Sequence, residues 1–208
     1  TDPVPYAQAL ADNPYVGAWA SGTSVNSARR SMASAGIQTA SIITGGLLPP
    51  GTAAITEQWN GSAWTEVADL NTGRWYFKGD GTSTAGIVFG GMESDPTASA
   101  KTELWNGSGW TETGDLNTAR QKMGNSTRGT TTASIIYGGS PADPAGGGAL
   151  TITESWNGSA WTEVNDLNQA RKGVGGAGTT TAALAIAGNV PPGSTLNESW
   201  NGSSWTEV

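Results

Sequence analysis

The stretch "TESWNGSAWTEV" at residues 153–164 has three close copies elsewhere in the chain. They are "TEQWNGSAWTEV" at 56–67, "TELWNGSGWTET" at 102–113 and "NESWNGSSWTEV" at 197–208. Every copy places Asn-Gly between two strand-like runs, which is the strongest short-range signal for a β-hairpin. Because a type I′ turn needs positive φ at both central residues, we expect Asn-Gly to form such a turn with one Trp on each side. Asn-Gly-Ser is also an N-glycosylation acceptor, so glycan attachment is the alternative explanation of the repeat.

The tryptophans are the expected core of the repeat, because the chain has ten Trp but only two Phe and four Tyr. Burying one Trp removes on the order of 200 Å² from water, which stabilises a fold by several kcal/mol at about 25 cal/mol per Å². We therefore assign structural roles to the paired residues of the four copies: Trp59, Trp64, Trp105, Trp110, Trp156, Trp161, Trp200, Trp205, Asn60, Gly61, Asn106, Gly107, Asn157, Gly158, Asn201 and Gly202.

Each copy belongs to a longer unit with a fixed order of parts. An arginine comes first, followed by a short polar stretch and an apolar strand that ends in Gly-Gly, as in "ASIIYGG" up to Gly139. A variable loop then leads into the Trp copy. The apolar residues have the period of a β-strand, and no segment has the period of a helix. A unit of about 45 residues therefore holds four short strands, which predicts an all-β repeat protein.

The unit resembles the kelch repeat, as found in the central domain of galactose oxidase. The shared features are the Arg, the strand that ends in Gly-Gly, the spaced Glu, and the Trp after a tight turn. The resemblance covers residues 16–208 and implies a kelch-like β-propeller of about four four-stranded antiparallel blades. Its repeats would span approximately 16–67, 68–113, 114–164 and 165–208. Residues 1–15 lie outside the pattern and are rich in Pro, so we expect an N-terminal arm or linker there.

The repeat pattern at the two ends of the chain does not decide how the propeller ring closes. Trp19 aligns with the second Trp of the copies, so the chain carries five candidate fourth strands for four blade cores. The extra strand would pair outside the ring, or belong to a larger propeller, or be shared between chains in a homo-oligomer.

Composition narrows the chemistry that is open to the chain. It contains no Cys and no His, which removes thiolate sites, the commonest general base and the commonest transition-metal ligand. The copper site of galactose oxidase needs His, so the resemblance does not carry that activity to this chain. We expect no cofactor, no metal site and no catalytic residue, with a carboxylate-based glycan hydrolase as the enzymatic alternative. The net charge of −7 and the lack of a long apolar run predict no nucleic-acid partner and no membrane insertion.

Two polar patterns recur with the repeat. Glu and Arg lie 17 residues apart three times, which fits ion pairs between neighbouring strands or blades, with an anion-binding ring of arginines as the alternative. These pairs are Glu57–Arg74, Glu103–Arg120 and Glu154–Arg171. The tripeptide Asp-Leu-Asn precedes each of these arginines. We expect its Asp and Asn side chains to accept backbone N–H bonds in turns, with a calcium site as the alternative.

Strand direction divides the surface of such a propeller into two faces. The Asn-Gly turns lie on one of them, the hairpin face, together with the turns between first and second strands. The opposite loop face carries the variable loops between second and third strands and the connections from blade to blade. Variable loops of repeat proteins often form the binding face. The basic and aromatic residues on this side are therefore the candidate binding residues: Arg29, Arg30, Arg74, Trp75, Tyr76, Phe77, Lys78, Arg120, Lys122, Arg171 and Lys172.

Near-identical Trp-Asn-Gly repeats of this kind are similar to kelch-like proteins of bacteriophage virions, including tail and fibre components. The resemblance implies a non-enzymatic structural or interaction module, in a virion or on an extracellular surface. Such a module would bind a host receptor, a glycan or a neighbouring virion protein, and an intracellular kelch-type adaptor is the alternative. The aromatic residues of "RWYFK" at 74–78 suit sugar stacking or a protein contact, or else they pack beneath a neighbouring blade.

Overall fold

Short β-strands joined by turns and loops make up the chain, which is seen here in a computed structural model. The structure describes residues 21–93, 98–141, 148–189 and 193–208. The expected arm at residues 1–15 and the aligned Trp19 lie outside the described residues.

Four antiparallel sheets of four strands follow one another along the chain. The first runs through β1 (Ala33–Ile37), β2 (Ala40–Thr44), a small separate hairpin of β3 (Leu47–Leu48) and β4 (Gly51–Thr52), and then β5 (Thr56–Trp59) and β6 (Trp64–Val67). The second contains β7 (Lys78–Gly81), β8 (Gly86–Phe89), β9 (Thr102–Trp105) and β10 (Trp110–Glu112). The third contains β11 (Gly124–Asn125), β12 (Ser134–Tyr137), β13 (Thr153–Trp156) and β14 (Trp161–Val164). The fourth contains β15 (Gly175–Gly178), β16 (Ala183–Ile186), β17 (Asn197–Trp200) and β18 (Trp205–Glu207).

These sheets are blades 1 to 4 of a β-propeller, and the described residues contain no helix. The first strands β1, β7, β11 and β15 lie along the central axis, with β7 beside β1, β11 beside β7 and β15 beside β11. Because neighbouring strands in every blade are antiparallel, the Asn-Gly turns and the variable loops lie on opposite faces. The prediction of an all-β propeller with four four-stranded antiparallel blades is confirmed.

The Asn-Gly turns form hairpins, but they are not the expected type I′ turns. Only the glycine has positive φ, as at Gly158 with a φ of 99°, whereas Asn157 stays outside the left-handed region. The Oδ1 atom of Asn157 accepts hydrogen bonds from the backbone N–H groups of Ser159 and Ala160, each at 3.0 Å. The asparagine therefore fixes a wider turn through its side chain, and the same bonds recur in the other three copies.

The two tryptophans of each hairpin lie side by side on one face of the blade, with ring centroids 5.2 to 5.4 Å apart. We call this the Trp face. The opposite Thr face carries apolar side chains of the second strand, such as Ile87 and Phe89, and a third-strand threonine, such as Thr102. The Trp face of each blade from the second onward packs on the Thr face of the blade before it, which gives three buried apolar clusters.

The seam between blades 2 and 3 shows how neighbouring blades are held together. Ile87 and Phe89 of blade 2 lie in one buried cluster with Trp156 and Trp161 of blade 3. The rings of Phe89 and Trp161 meet edge to face with centroids 5.1 Å apart. The indole N–H of Trp161 donates to Oγ1 of Thr102 at 2.9 Å, so the buried donor is satisfied. Equivalent bonds join Trp110 to Thr56 and Trp205 to Thr153.

The Asp-Leu-Asn segments cross from one blade to the next. Asp115 accepts a hydrogen bond from the backbone N–H of Thr102, and Leu116 is buried in the seam. Asn117 donates to Glu154 of the next blade, at 2.7 Å through its backbone N–H and 2.8 Å through Nδ2. The expected role of Asp in accepting a backbone N–H is confirmed, but Asn acts as a donor because a carboxylate faces it. Among the described residues, no group of three or more acidic side chains is arranged to hold a metal ion.

Candidate binding surface at the loop face

The arginine that opens each unit is buried inside its own blade. Nη2 of Arg74 lies 2.7 Å from Oε1 of Glu103, and neither side chain has any exposed surface. Equivalent buried pairs join Arg29 to Glu57, Arg120 to Glu154 and Arg171 to Glu198. We therefore remove these four arginines from the candidate binding residues, because no partner reaches a fully buried guanidinium group.

The ion pairs do not join the residues that lie 17 positions apart. Glu103 pairs with Arg74, which precedes the first strand of the same blade. It does not pair with Arg120, which precedes the first strand of the next blade. Burial lowers the pKa of Arg74, and the charge of Glu103 opposes that shift. The arginines do connect blades, but through the backbone: the carbonyl of Arg120 accepts a bond from the N–H of Gly91 in the preceding blade at 2.9 Å.

This backbone contact explains the Gly-Gly that ends the second strands of blades 1 to 3. Gly90 and Gly91 both have positive φ, at 63° and 99°. A Cβ atom on Gly90 would lie 2.7 Å from the carbonyl oxygen of Arg120, closer than side chains approach. Only glycine lets the chain pass the neighbouring blade at this distance.

The residues of "RWYFK" separate into buried and accessible positions. Phe77 is buried in the seam between blades 1 and 2, so it also leaves the candidate binding residues. Lys78 is half-buried at the start of β7, where burial lowers its pKa and the charge of Asp80 opposes the shift. Trp75 and Tyr76 are half-buried and keep part of their surface in solvent.

Four residues form a hydrogen-bonded series around the axis on the loop face, and we call them the axial collar: Ser31, Tyr76, Lys122 and Gly173. All four have positive φ, between 54° and 64°, a conformation that is uncommon for residues other than Gly. The N–H of Tyr76 donates to the carbonyl oxygen of Ser31 at 3.0 Å. The N–H of Lys122 donates to the carbonyl oxygen of Tyr76 at 3.1 Å. Gly173 donates in turn to Lys122 at 2.7 Å. Each collar residue lies two positions after a unit arginine, but the four residue types differ, so the repeat pattern did not group them. Tyr76 and Lys122 were among the predicted binding residues, whereas Ser31 and Gly173 were not.

The collar carries a stack of two aromatic rings and one cation. The rings of Trp75 and Tyr76 stack with centroids 4.3 Å apart, and Nζ of Lys122 lies 4.4 Å from the centroid of Tyr76. A depression of about 390 Å³ opens beside them and is also lined by Met123 and Val174. Flat rings and apolar side chains next to a cation can bind the apolar face of a sugar or the side chains of another protein.

Other predicted binding residues surround the collar. Arg30 is exposed and Lys172 is half-buried, and each directly precedes a collar residue on the loop face. Residues 94–97, 142–147 and 190–192, which belong to three of the variable loops, lie outside the described residues.

A second cavity of about 340 Å³ lies along the axis between the first strands of blades 1, 2 and 3. Asp80 on its wall is almost completely buried and accepts hydrogen bonds from Nδ2 of Asn125 at 2.9 Å and Oγ of Ser134 at 2.5 Å. Burial raises the pKa of Asp80 to about 6, although these hydrogen bonds and one from the N–H of Gly129 oppose the shift. Sequence reasoning missed Asp80 because the other repeats have no acidic residue at this position.

No protein-family model matches the chain, and no curated protein matches it significantly. In the part of the chain that the structure describes, no helix is long and apolar enough to span a membrane. A propeller fold by itself supports many unrelated functions, and the side chains at the collar are what distinguish this one.

Proposed function

We propose that this protein is a non-enzymatic, kelch-like interaction module of a virion or another extracellular surface, which binds a glycan or a protein receptor through its axial collar. The observation that supports this proposal is the stack of Trp75, Tyr76 and Lys122 beside the depression. Aromatic side chains provide large, flat contact areas, and the ammonium group of Lys122 over the Tyr76 ring adds hydrogen-bond donors. The likeness of the Trp-Asn-Gly repeats to those of phage virion proteins supports the proposed location.

The acidic side chains favour binding over hydrolysis. A carboxylate-based hydrolase needs two carboxyl groups about 5 to 9.5 Å apart on either side of the bond that is cleaved. The repeated glutamates, such as Glu103, are buried against arginine. Among the residues that line the axial cavity, Asp80 is the only acid, and its carboxylate is held by donors from blade 3.

A glycan array tests the proposed site with Trp75→Ala and Tyr76→Asn. The Asn variant removes the ring but keeps a residue type that tolerates positive φ. We expect each variant to bind array glycans at least tenfold more weakly than the wild type, a loss of about 1.4 kcal/mol, with a melting temperature within a few degrees. Arg128→Ala is the control, because it removes an exposed cation from the hairpin face.

Two results would contradict the proposed binding site or its ligand class. Unchanged glycan binding by the Trp75 and Tyr76 variants would show that the collar is not the site. If no array glycan binds and a single soluble intracellular protein is captured instead, the adaptor alternative gains support. Antibody labelling of native particles in the electron microscope tests the proposed virion location separately, since it does not depend on the ligand.

A further inference from the structure

No blade in the described part of the chain packs on the Thr face of blade 4, although this face carries the same apolar positions as the buried Thr faces. Leu184 and Ile186 of β16 are each 39% exposed. The equivalent residues of blade 3, Ile135 and Tyr137, are completely buried beneath the Trp face of blade 4. Among the described residues, blade 4 therefore presents an unpartnered face of the type that elsewhere receives another blade.

The Trp face of blade 1 is the complementary unpartnered surface. Trp59 and Trp64 are half-buried, whereas the six tryptophans of blades 2 to 4 are buried. Within the described ranges, the indole N–H of Trp64 makes no bond of the kind that Trp161 makes to Thr102. Val25 takes the place of the seam leucines and is only half-buried.

The backbone hydrogen bonds of the axial collar also do not connect blade 4 to blade 1 in the described residues. The collar series runs from Ser31 through Tyr76 and Lys122 to Gly173, and in the described residues no bond from the N–H of Ser31 returns to Gly173. The three apolar clusters join blades 1 to 2, 2 to 3 and 3 to 4, and none of them joins blade 4 to blade 1.

We propose that these two faces join copies of the chain head to tail, with the Trp face of blade 1 in one copy on the Thr face of blade 4 in another. The seam between copies would follow the seams within the chain, since tryptophans of a third and fourth strand meet apolar side chains of a second strand in both. Trp64 supplies the indole donor. Asn197 stands at the position of Thr102 and Thr153, where its side-chain oxygen is the acceptor.

A head-to-tail contact of this kind uses two different surfaces of the same molecule. Each copy therefore keeps one free face after pairing, and further copies add until a ring closes or a filament grows. Leu184→Glu/Ile186→Glu blocks one surface and Trp64→Glu blocks the other, because both place charge in an apolar seam. Val25→Glu is a second way to block the blade 1 surface, used if Trp64→Glu does not fold.

The experiment measures mass in solution by sedimentation equilibrium over a broad concentration range. We expect the mass of the wild-type chain to rise with concentration, while each blocked variant stays monomeric. An equimolar mixture of a variant blocked on blade 4 with one blocked on blade 1 should form a one-to-one complex, since each contributes the surface that the other lacks. Ile37→Glu is the control, because Ile37 is 70% exposed at a turn and lies on neither surface.

The results separate the proposal from its alternatives. A wild-type chain that stays monomeric at all concentrations would overturn it, as would self-association of either blocked variant. Failure of the mixture to form the one-to-one complex, when both variants are folded by circular dichroism, would exclude the head-to-tail arrangement. Glycan binding at the collar is measured separately, so the outcome here does not depend on the proposed function.

Discussion

Replacing Arg74 by Met should destabilise the protein by about 3 to 5 kcal/mol, because it leaves the carboxylate of Glu103 buried without its cation. Both side chains are fully buried, and Nη2 of Arg74 lies 2.7 Å from Oε1 of Glu103. Two bonds from Asn71, at 2.8 and 2.9 Å, remain to the carboxylate but supply no positive charge. The expected loss is a large part of the free energy of unfolding of a typical domain, which is about 5 to 15 kcal/mol.

Urea unfolding followed by tryptophan fluorescence measures this loss. The control is Glu93→Gln, which breaks the surface pair of Glu93 with Lys101, where the atoms are 3.4 Å apart and the side chains are 31% and 35% exposed. Such an exposed pair contributes less than about 1 kcal/mol. The double variant Arg74→Met/Glu103→Gln should recover part of the loss, since neither side chain is then charged. The reasoning is refuted if Arg74→Met costs no more than the control.

Three further changes test the turns, the seams and the axial cavity. Gly107→Ala should cost about 1 to 3 kcal/mol, because φ is 93° at this turn, whereas Gly109→Ala in the same turn should be nearly neutral; thermal unfolding compares them. Thr102→Val should cost about 1 to 3 kcal/mol in urea unfolding, because the indole N–H of Trp161 is left without an acceptor, and equal stability would contradict the seam bond. The pKa of Asp80 is higher in the folded chain than in the unfolded chain, so its contribution to stability is present below about pH 4 and lost as pH rises through about 6. The unfolding free energy of the wild type relative to Asp80→Asn should therefore fall by about 2 kcal/mol from pH 4 to pH 7, and a flat difference would show that the pKa is not raised.

The repeated Trp copies predicted the fold because each copy contains a complete hairpin with its own core residues. Trp156 and Trp161 flank one turn, so their strand pairing follows from local sequence, whereas their burial also needs the neighbouring blade. The predicted type I′ turn was wrong. The side chain of Asn157 accepts hydrogen bonds from the backbone N–H groups of Ser159 and Ala160 and so holds a wider turn.

The residue spacing predicted that the repeated Glu and Arg residues form ion pairs, but it did not predict which Glu pairs with which Arg. Glu103 lies between two unit arginines, and only the path of the chain through the blades shows that Arg74 is its partner. The position of Phe77 in a seam depends equally on the neighbouring blade. Asp80 and the collar residues Ser31 and Gly173 escaped prediction because the residue types at their positions do not repeat, so no period revealed them. Tyr76 and Lys122 were predicted only as members of the basic and aromatic set on the loop face.

Hydrogen exchange of the indole N–H groups tests most directly the central claim that Trp faces packed on Thr faces hold the blades together. The measurement uses the Leu184→Glu/Ile186→Glu variant, in which no second copy covers blade 1. The N–H groups of Trp161 and its two equivalents in the seams should exchange slowly by nuclear magnetic resonance, and that of Trp64 should exchange fast. Equally fast exchange at all four tryptophans, or protection of Trp64 equal to that of Trp161, would contradict it.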